Sequence, residues 1–179
     1  MSKNILVIST SPRKGGNSDC LADEFVRGAQ EAGNQVEKVT LYDKTIGFCK
    51  GCLSCQNTQH CIIHDDAEVI AQKMLTADVI AFATPIYYYG MCGQMKTLLD
   101  RSNPLFPSDY AFRDIYLLAT AADSAESSMD GAVKGLEGWI DCFEKARLAG
   151  TVFAGGVTSV GEIQNHPALE KAYELGKHA

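Results

Sequence analysis

The chain is predicted to be an α/β protein built on a five-stranded parallel sheet with helices on both faces. Three observations lead there. Short apolar runs of strand length recur along the sequence, and helical patterns separate them. The first run also empties into a polar loop that opens a helix. Strands that alternate with helices pair in parallel through right-handed crossovers.

Taken in order, Ile5–Ile8 is a continuous apolar run and the first strand. Leu21, Phe25, Ala29 and Ala32 then share one helical face, and Gly33 closes that helix as a C-terminal cap. Val36–Leu41 alternates and reads as the second strand. Asp65 or Asp66 caps a second helix whose buried side carries Ile70, Met74 and Ala77. Val79–Ala83 is the third strand, buried on both faces, and Met95, Leu98, Leu99 and Ser102 line a third helix. Ile115–Ala119 is the fourth strand. Ser128–Ala146 is a longer helix weakened by Gly131, Gly135 and Gly138. Thr151–Val157 is the fifth strand, and Leu169–Leu175 a short last helix. These elements fit a flavodoxin-like three-layer sandwich with strand order 2-1-3-4-5. No repeat, linker or low-complexity tract interrupts residues 1–179, which read as one domain with a cysteine-rich loop at 47–64.

Composition narrows the partners. A net charge of −6 argues against nucleic acid. No apolar run approaches a membrane span, and the start reads as a strand rather than a signal peptide. Seven cysteines, four of them between Cys49 and Cys61, suit a reducing, cytoplasmic setting better than a disulfide scaffold.

Ligands of such sheets sit at the carboxyl ends of the strands, near the switch point. That rule selects three loops: Ser9–Ser18, Thr84–Gly93 and Thr120–Ser128. The first lacks both G-x-G-x-x-G and G-x-x-x-x-G-K-[ST], which excludes the usual dinucleotide and P-loop sites. It is instead rich in hydroxyls: Ser9, Thr10, Ser11 and Ser18, with the amide of Asn17 and the cation of Arg13. Feeding a helix N-terminus, these groups read as a phosphate cradle. A plain capped turn is the simpler reading, but capping needs only one such residue. Asp19, Asp23 and Glu24 at the helix start oppose an anion, and Arg13 and Lys14 are expected to offset them. In the second loop, Tyr87, Tyr88 and Tyr89 between Pro85-Ile86 and Gly90 cannot all face a core. Aromatic faces beside glycine backbone suit a flat heteroaromatic ring, or else a self-association surface. The third loop begins at Thr120 and has small residues that permit close backbone approach. A phosphate cradle and an aromatic loop on adjacent strands describe a mononucleotide with a flat ring, for which FMN is the natural candidate.

At these residues the chain resembles NADPH-dependent FMN reductases and iron–sulfur flavoproteins. The likeness rests on Ser9-Thr-Ser-Pro-Arg-Lys-Gly-Gly-Asn-Ser18, Pro85-Ile-Tyr-Tyr-Tyr-Gly90 and Lys96-Thr-Leu-Leu-Asp-Arg101. A helix at Pro167–Lys177 extends it over nearly the whole chain. The resemblance implies that Ser9, Ser11, Arg13, Asn17 and Ser18 hold the FMN phosphate and that Pro85–Gly90 contact the isoalloxazine. It also implies homodimers or homotetramers with the flavin near a subunit boundary.

Cys49, Cys52, Cys55 and Cys61 give C-x2-C-x2-C-x5-C, compact enough to wrap one site. The spacing resembles that of iron–sulfur flavoproteins. A 4Fe–4S cluster is preferred over zinc, which more often takes two separated C-x2-C pairs, and free thiols are the remaining reading. His60 and His64 flank the run and read as solvated loop residues ahead of ligands. Cys20, Cys92, Cys142 and Trp139 are assigned to packing.

The expected activity is hydride transfer from NAD(P)H to FMN, followed by reduction of a small acceptor such as a quinone or free flavin. No side-chain nucleophile–base pair is found, and flavin chemistry requires none. Backbone N–H groups at Tyr88, Tyr89 and Gly90 are expected to meet the ring edge. The competing class is a non-enzymatic carrier relaying electrons from ferredoxin through the cluster to FMN. A third class is a redox-sensing or structural domain with vacant sites.

Overall fold

A computed structural model describes residues 2–179. Five parallel strands form the sheet: β1 (Asn4–Ser9), β2 (Gln35–Thr40), β3 (Val79–Tyr87), β5 (Asp114–Thr120) and β6 (Arg147–Ala154), in the spatial order β2-β1-β3-β5-β6. A two-residue strand, β4 (Gly90–Met91), folds back antiparallel onto the end of β3. Leaving β4 aside, this is the expected 2-1-3-4-5 order, with the switch point between β1 and β3.

The sheet separates two cores because successive side chains of a strand point to opposite faces. Ile5, Val7, Ala81 and Leu118 face α1 (Asn17–Glu31) and α6 (Ala168–Lys177). Leu6, Ile8, Phe82 and Leu117 face α3 (Asp66–Thr76), α4 (Gly93–Arg101) and α5 (Asp130–Ile140). On this second side, Trp139 stacks on Phe112 at 5.7 Å and its indole N–H donates to Ser102 Oγ at 2.9 Å. It is a half-buried packing residue, as its sequence position indicated. On the first side α1 and α6 touch backbone to backbone. A Cβ built on Gly28 would collide with the Tyr173 carbonyl, and one on Gly176 with that of Phe25.

Four details depart from the sequence reading. β3 does not stop at Ala83 but runs through Pro85 and Ile86 to Tyr87, with Pro85 opposite Thr120 of β5. β6 begins at Arg147 rather than Thr151 and ends at Ala154 rather than Val157. Its first half is an edge with alternating exposure and no apolar run, and Gly156 (φ +75°) turns the chain out of it. The fourth long helix is shorter than Ser128–Ala146. A 3-10 turn at Glu126–Met129 precedes α5, which ends at Ile140 and leaves Cys142 exposed outside it. Within the cysteine loop a one-turn helix, α2 (Cys55–Thr58), is stopped by Gln59 at φ +58°. The cap of α3 is Asp65, whose carboxylate accepts the Ala67 N–H at 3.1 Å.

Candidate functional site

At the carboxyl edge of the sheet one buried donor is left over. β1 ends at the buried Ser9, and the chain enters α1 through Gly16, which offers no side-chain cap to a fifteen-residue helix. Ser18, in the first turn, is buried and its Oγ has no hydrogen-bond partner. Helix N-termini leave N–H groups unpaired and carry partial positive charge, and a buried hydroxyl without a partner is uncommon. Together these groups fit an anion that is a ligand and not part of the chain.

Ser11, Arg13 and Asn17 are already engaged. Ser11 Oγ donates to the Arg13 carbonyl at 3.0 Å and accepts the Arg13 N–H at 3.1 Å, closing a local turn. Arg13 Nη1 donates to the Thr158 carbonyl at 3.0 Å, and Asn17 Nδ2 to that of Ser159 at 3.0 Å. Asn17 Oδ1 is left buried without a partner; as an acceptor it suits a hydroxyl rather than a phosphate oxygen. Arg13 therefore does not neutralise the helix-start carboxylates as expected. Lys38 of β2 does so, at 2.7 Å from Asp19 and 2.5 Å from Asp23, while Glu24 pairs with Arg27. The cradle is consequently less acidic than the sequence suggests.

Segment 158–162, after β6, is the part of the site missed in the sequence. Glu162 accepts the N–H groups of Thr158 at 2.5 Å and Ser159 at 2.9 Å, fixing the carbonyls that hold Arg13 and Asn17. Those two N–H groups hold the Glu162 carboxyl below its ordinary range. The visible signal was Ser159-x-x-Glu162, the spacing of a capping box.

The tyrosine segment is a hairpin rather than a loop. Tyr87 pairs with Gly90, and the turn residues between them, Tyr88 and Tyr89, have φ of +49° and +62°. Asn and Gly normally occupy such a turn, and tyrosines there carry strain of roughly 1–3 kcal/mol each. All three tyrosines are exposed, Tyr88 completely. The hairpin leans on α5 at Gly131, where a Cβ would collide with the Tyr89 carbonyl. Asp123, in the loop after Thr120, faces it as well. The Ala125 N–H, at 3.0 Å from Asp123 Oδ1, holds the Asp123 carboxyl below its ordinary range. Beneath the hairpin Cys92 is fully buried, with its sulfur 3.2 Å from Thr10 Oγ1 and 3.4 Å from Thr84 Oγ1. That network ties the cradle to the hairpin.

Residues 3–157 match the family model of NADPH-dependent FMN reductases. The chain belongs to that family. Among its relatives, the iron–sulfur flavoprotein of Methanosarcina thermophila is 28% identical over 91% of this chain and 83% of its own. The NAD(P)H-dependent FMN-containing oxidoreductase YwqN of Bacillus subtilis is 28% identical over 98% of this chain and 97% of its own. The iron–sulfur flavoprotein MJ1083 of Methanocaldococcus jannaschii is 40% identical, but over 56% of this chain and about half, 52%, of its own. The fold is shared with an azoreductase from Bacillus anthracis, at TM-score 0.74 and 16% identity over the full length of both chains. No helix among the described residues is long and apolar enough to cross a membrane.

The cysteine loop forms a second candidate site at the far end of α4. Cys49, Cys52, Cys55 and Cys61 all line one small cavity together with Arg101 and Asn103. Two of the four sulfurs accept a hydrogen bond. Gly51 N–H donates to Cys49 Sγ at 3.4 Å and Asn103 Nδ2 to Cys55 Sγ at 3.3 Å. The N–H and hydroxyl of Ser54 hold the Cys52 thiol below its ordinary value. Among the described residues, no three His, Cys, Asp or Glu side chains converge on a point that a single ion could occupy. His60 and His64 both turn to Glu68, at 3.4 and 3.0 Å.

Proposed function

We propose that this protein takes hydride from NAD(P)H onto bound FMN and passes the electrons to a small oxidant, such as a quinone or a free flavin. The observation that carries the reading is the uncapped start of α1, with the unpartnered Ser18 hydroxyl, beside the exposed tyrosine hairpin. FMN, when bound, supplies the hydride-accepting ring. The chain supplies position and charge. The Ser18 hydroxyl and the first N–H groups of α1 hold the phosphate, with Ser9 and Ser11 shaping the floor and Arg13 adding charge at the rim. Asn17 Oδ1 accepts from a hydroxyl of the ribityl chain. Pro85, Ile86, Tyr87, Tyr88, Tyr89 and Gly90 border the ring, Thr120 closes the adjacent strand end, and the N–H groups of the hairpin turn meet the ring edge. The nicotinamide stacks beside Tyr87–Tyr89.

The test is anaerobic. Apoprotein is reconstituted with FMN and mixed with NADPH, then separately with NADH. Loss of the oxidised flavin's visible absorption with either one is the expected result, and persistence with both refutes the reading.

A second reading is favoured by the cysteine cavity: a carrier passing single electrons between ferredoxin, a 4Fe–4S cluster on Cys49, Cys52, Cys55 and Cys61, and FMN. Four thiols on one cavity, with hydrogen bonds to two of them, suit thiolate ligation of a cluster better than the single point that zinc needs. Cys49 and Cys52 are exposed at this cavity and Cys55 is buried in it. Stoichiometric iron and sulfide after anaerobic purification is the supporting result. Homodimers or homotetramers built over the exposed tyrosines, and a cytoplasmic location, belong to the same proposal.

A further inference from the structure

Arg101 is the largest fully buried side chain of the protein, and no step of the flavin chemistry uses it. It lies at the last turn of α4 and reaches across to the cysteine loop. Nη1 donates to the Gly47 carbonyl at 2.8 Å and to Asp65 Oδ2 at 2.7 Å. Nη2 donates to the Ile63 carbonyl at 2.9 Å and to Asp65 Oδ1 at 2.9 Å. Asp65 also accepts the Gly47 N–H at 2.8 Å. One guanidinium thus pins both ends of the cysteine loop, residue 47 where it leaves and residues 63–65 where it returns.

Two observations go beyond a clamp. The guanidinium is one donor short of satisfaction: its Nε is buried and forms no hydrogen bond. The same residue lines the cavity of the four cysteines. Its bidentate pairing with Asp65 offsets the cost of burying the charge. A permanent cation with an unused N–H is therefore set into the wall of the site, in a region where charge is poorly screened.

We propose that Arg101 is the electrostatic positioning residue of the cysteine site: it fixes the Cys61 side of the loop and, by its buried charge, raises the reduction potential of an iron–sulfur cluster held there. The proposal rests on the cluster reading given above. Reduction adds one electron to the cluster, and a nearby cation stabilises the added negative charge. Hydrogen bonds and net charge around the sulfurs are the protein's means of setting such potentials. Asp65 opposes the effect, since its carboxylate neutralises part of the cation.

The prediction is a pair of shifts of opposite sign. Full-length protein is reconstituted anaerobically with iron and sulfide. Iron and sulfide are counted, and the one-electron midpoint of the cluster is read by potentiometric titration with electron paramagnetic resonance. R101Q removes the cation and lowers the midpoint by about tenfold in the reduction equilibrium, or about 59 mV. R101K keeps the charge and returns most of that shift. D65N removes the countercharge in nearly the same shape and raises the midpoint. A purely structural role moves R101Q and D65N in the same direction, and that result overturns the proposal, as does an unchanged midpoint in both. If R101Q does not fold, the sign of the D65N shift decides alone: upward supports the proposal, while downward or unchanged overturns it. Wild-type protein that takes up no iron and sulfide overturns the cluster reading itself, and the role of Arg101 falls with it.

Discussion

Replacing Ser18 with alanine should move two measurements in opposite directions. In the ligand-free chain the Ser18 hydroxyl is buried and unpartnered. A buried polar group in that state costs about 1–3 kcal/mol, and alanine is also the better residue inside a helix, by about 0.5 kcal/mol. Apoprotein carrying S18A should therefore be more stable than wild type by about 1 kcal/mol or more. The same change removes a donor to an anionic ligand. A hydrogen bond to a charged group contributes about 1.5–3 kcal/mol, so the FMN dissociation constant should rise roughly 10- to 150-fold. Urea unfolding of apoprotein measures the first effect, and quenching of flavin fluorescence on titration measures the second. An apoprotein weakened by about 1 kcal/mol, with FMN affinity unchanged, refutes the reasoning, because the hydroxyl would then be serving the fold.

Other tests follow from the same geometry. D65A should lower stability by about 4 kcal/mol, since it leaves Arg101 charged and buried without its carboxylate and uncaps α3; for a domain of this size the melting temperature should fall by about 8–16 °C. The pH dependence has a defined sign. Burial raises the Asp65 carboxyl, but Arg101 and the Gly47 and Ala67 N–H groups outweigh it and hold the carboxyl below its ordinary range. Its contribution is thus complete above about pH 4 and is lost as pH falls further, through the depressed folded value. The difference between wild-type and D65N melting temperatures should therefore shrink only below about pH 4. Gly131→Ala should lower stability by up to about 2 kcal/mol, because its Cβ meets the Tyr89 backbone carbonyl and improved helix propensity offsets only part of the strain, and should displace the hairpin and weaken FMN several-fold in the same fluorescence titration. Gly28→Ala, which separates α1 from α6, should cost about 1–3 kcal/mol by urea unfolding.

The central strands were legible because both of their faces are buried. Ile5–Ile8 and Val79–Ala83 have no choice but to be apolar throughout. β6 was misplaced because an edge strand obeys no such demand: its first residues, Arg147 to Thr151, are held by pairing with β5 and by the Arg147–Asp114 ion pair at 2.8 Å. Ser18 and the tyrosines stood out by residue type. The hairpin geometry did not, because Tyr-Tyr is a poor turn sequence and the turn packs against the neighbouring α5. Arg101 was visible only as part of a helical motif. Its partners lie 36 to 54 residues away, and nothing local marks an arginine that will be buried. The same distance hid segment 158–162, whose contacts with Arg13 and Asn17 span more than 140 residues.

α4 has a consequence for timing as well as for shape. It starts at Gly93, just past the tyrosine hairpin, and ends at Arg101, in the wall of the cysteine cavity. The two candidate sites are thus mounted on opposite ends of one short rod, about 12 Å apart along its axis. A loop could breathe and vary that gap, whereas a helix changes it only in whole residues. Inserting one residue into α4 would lengthen the gap by about 1.5 Å and swing the arginine a quarter-turn off its carboxylate. Any current flowing between the two ends would then run at a rate written into a residue count.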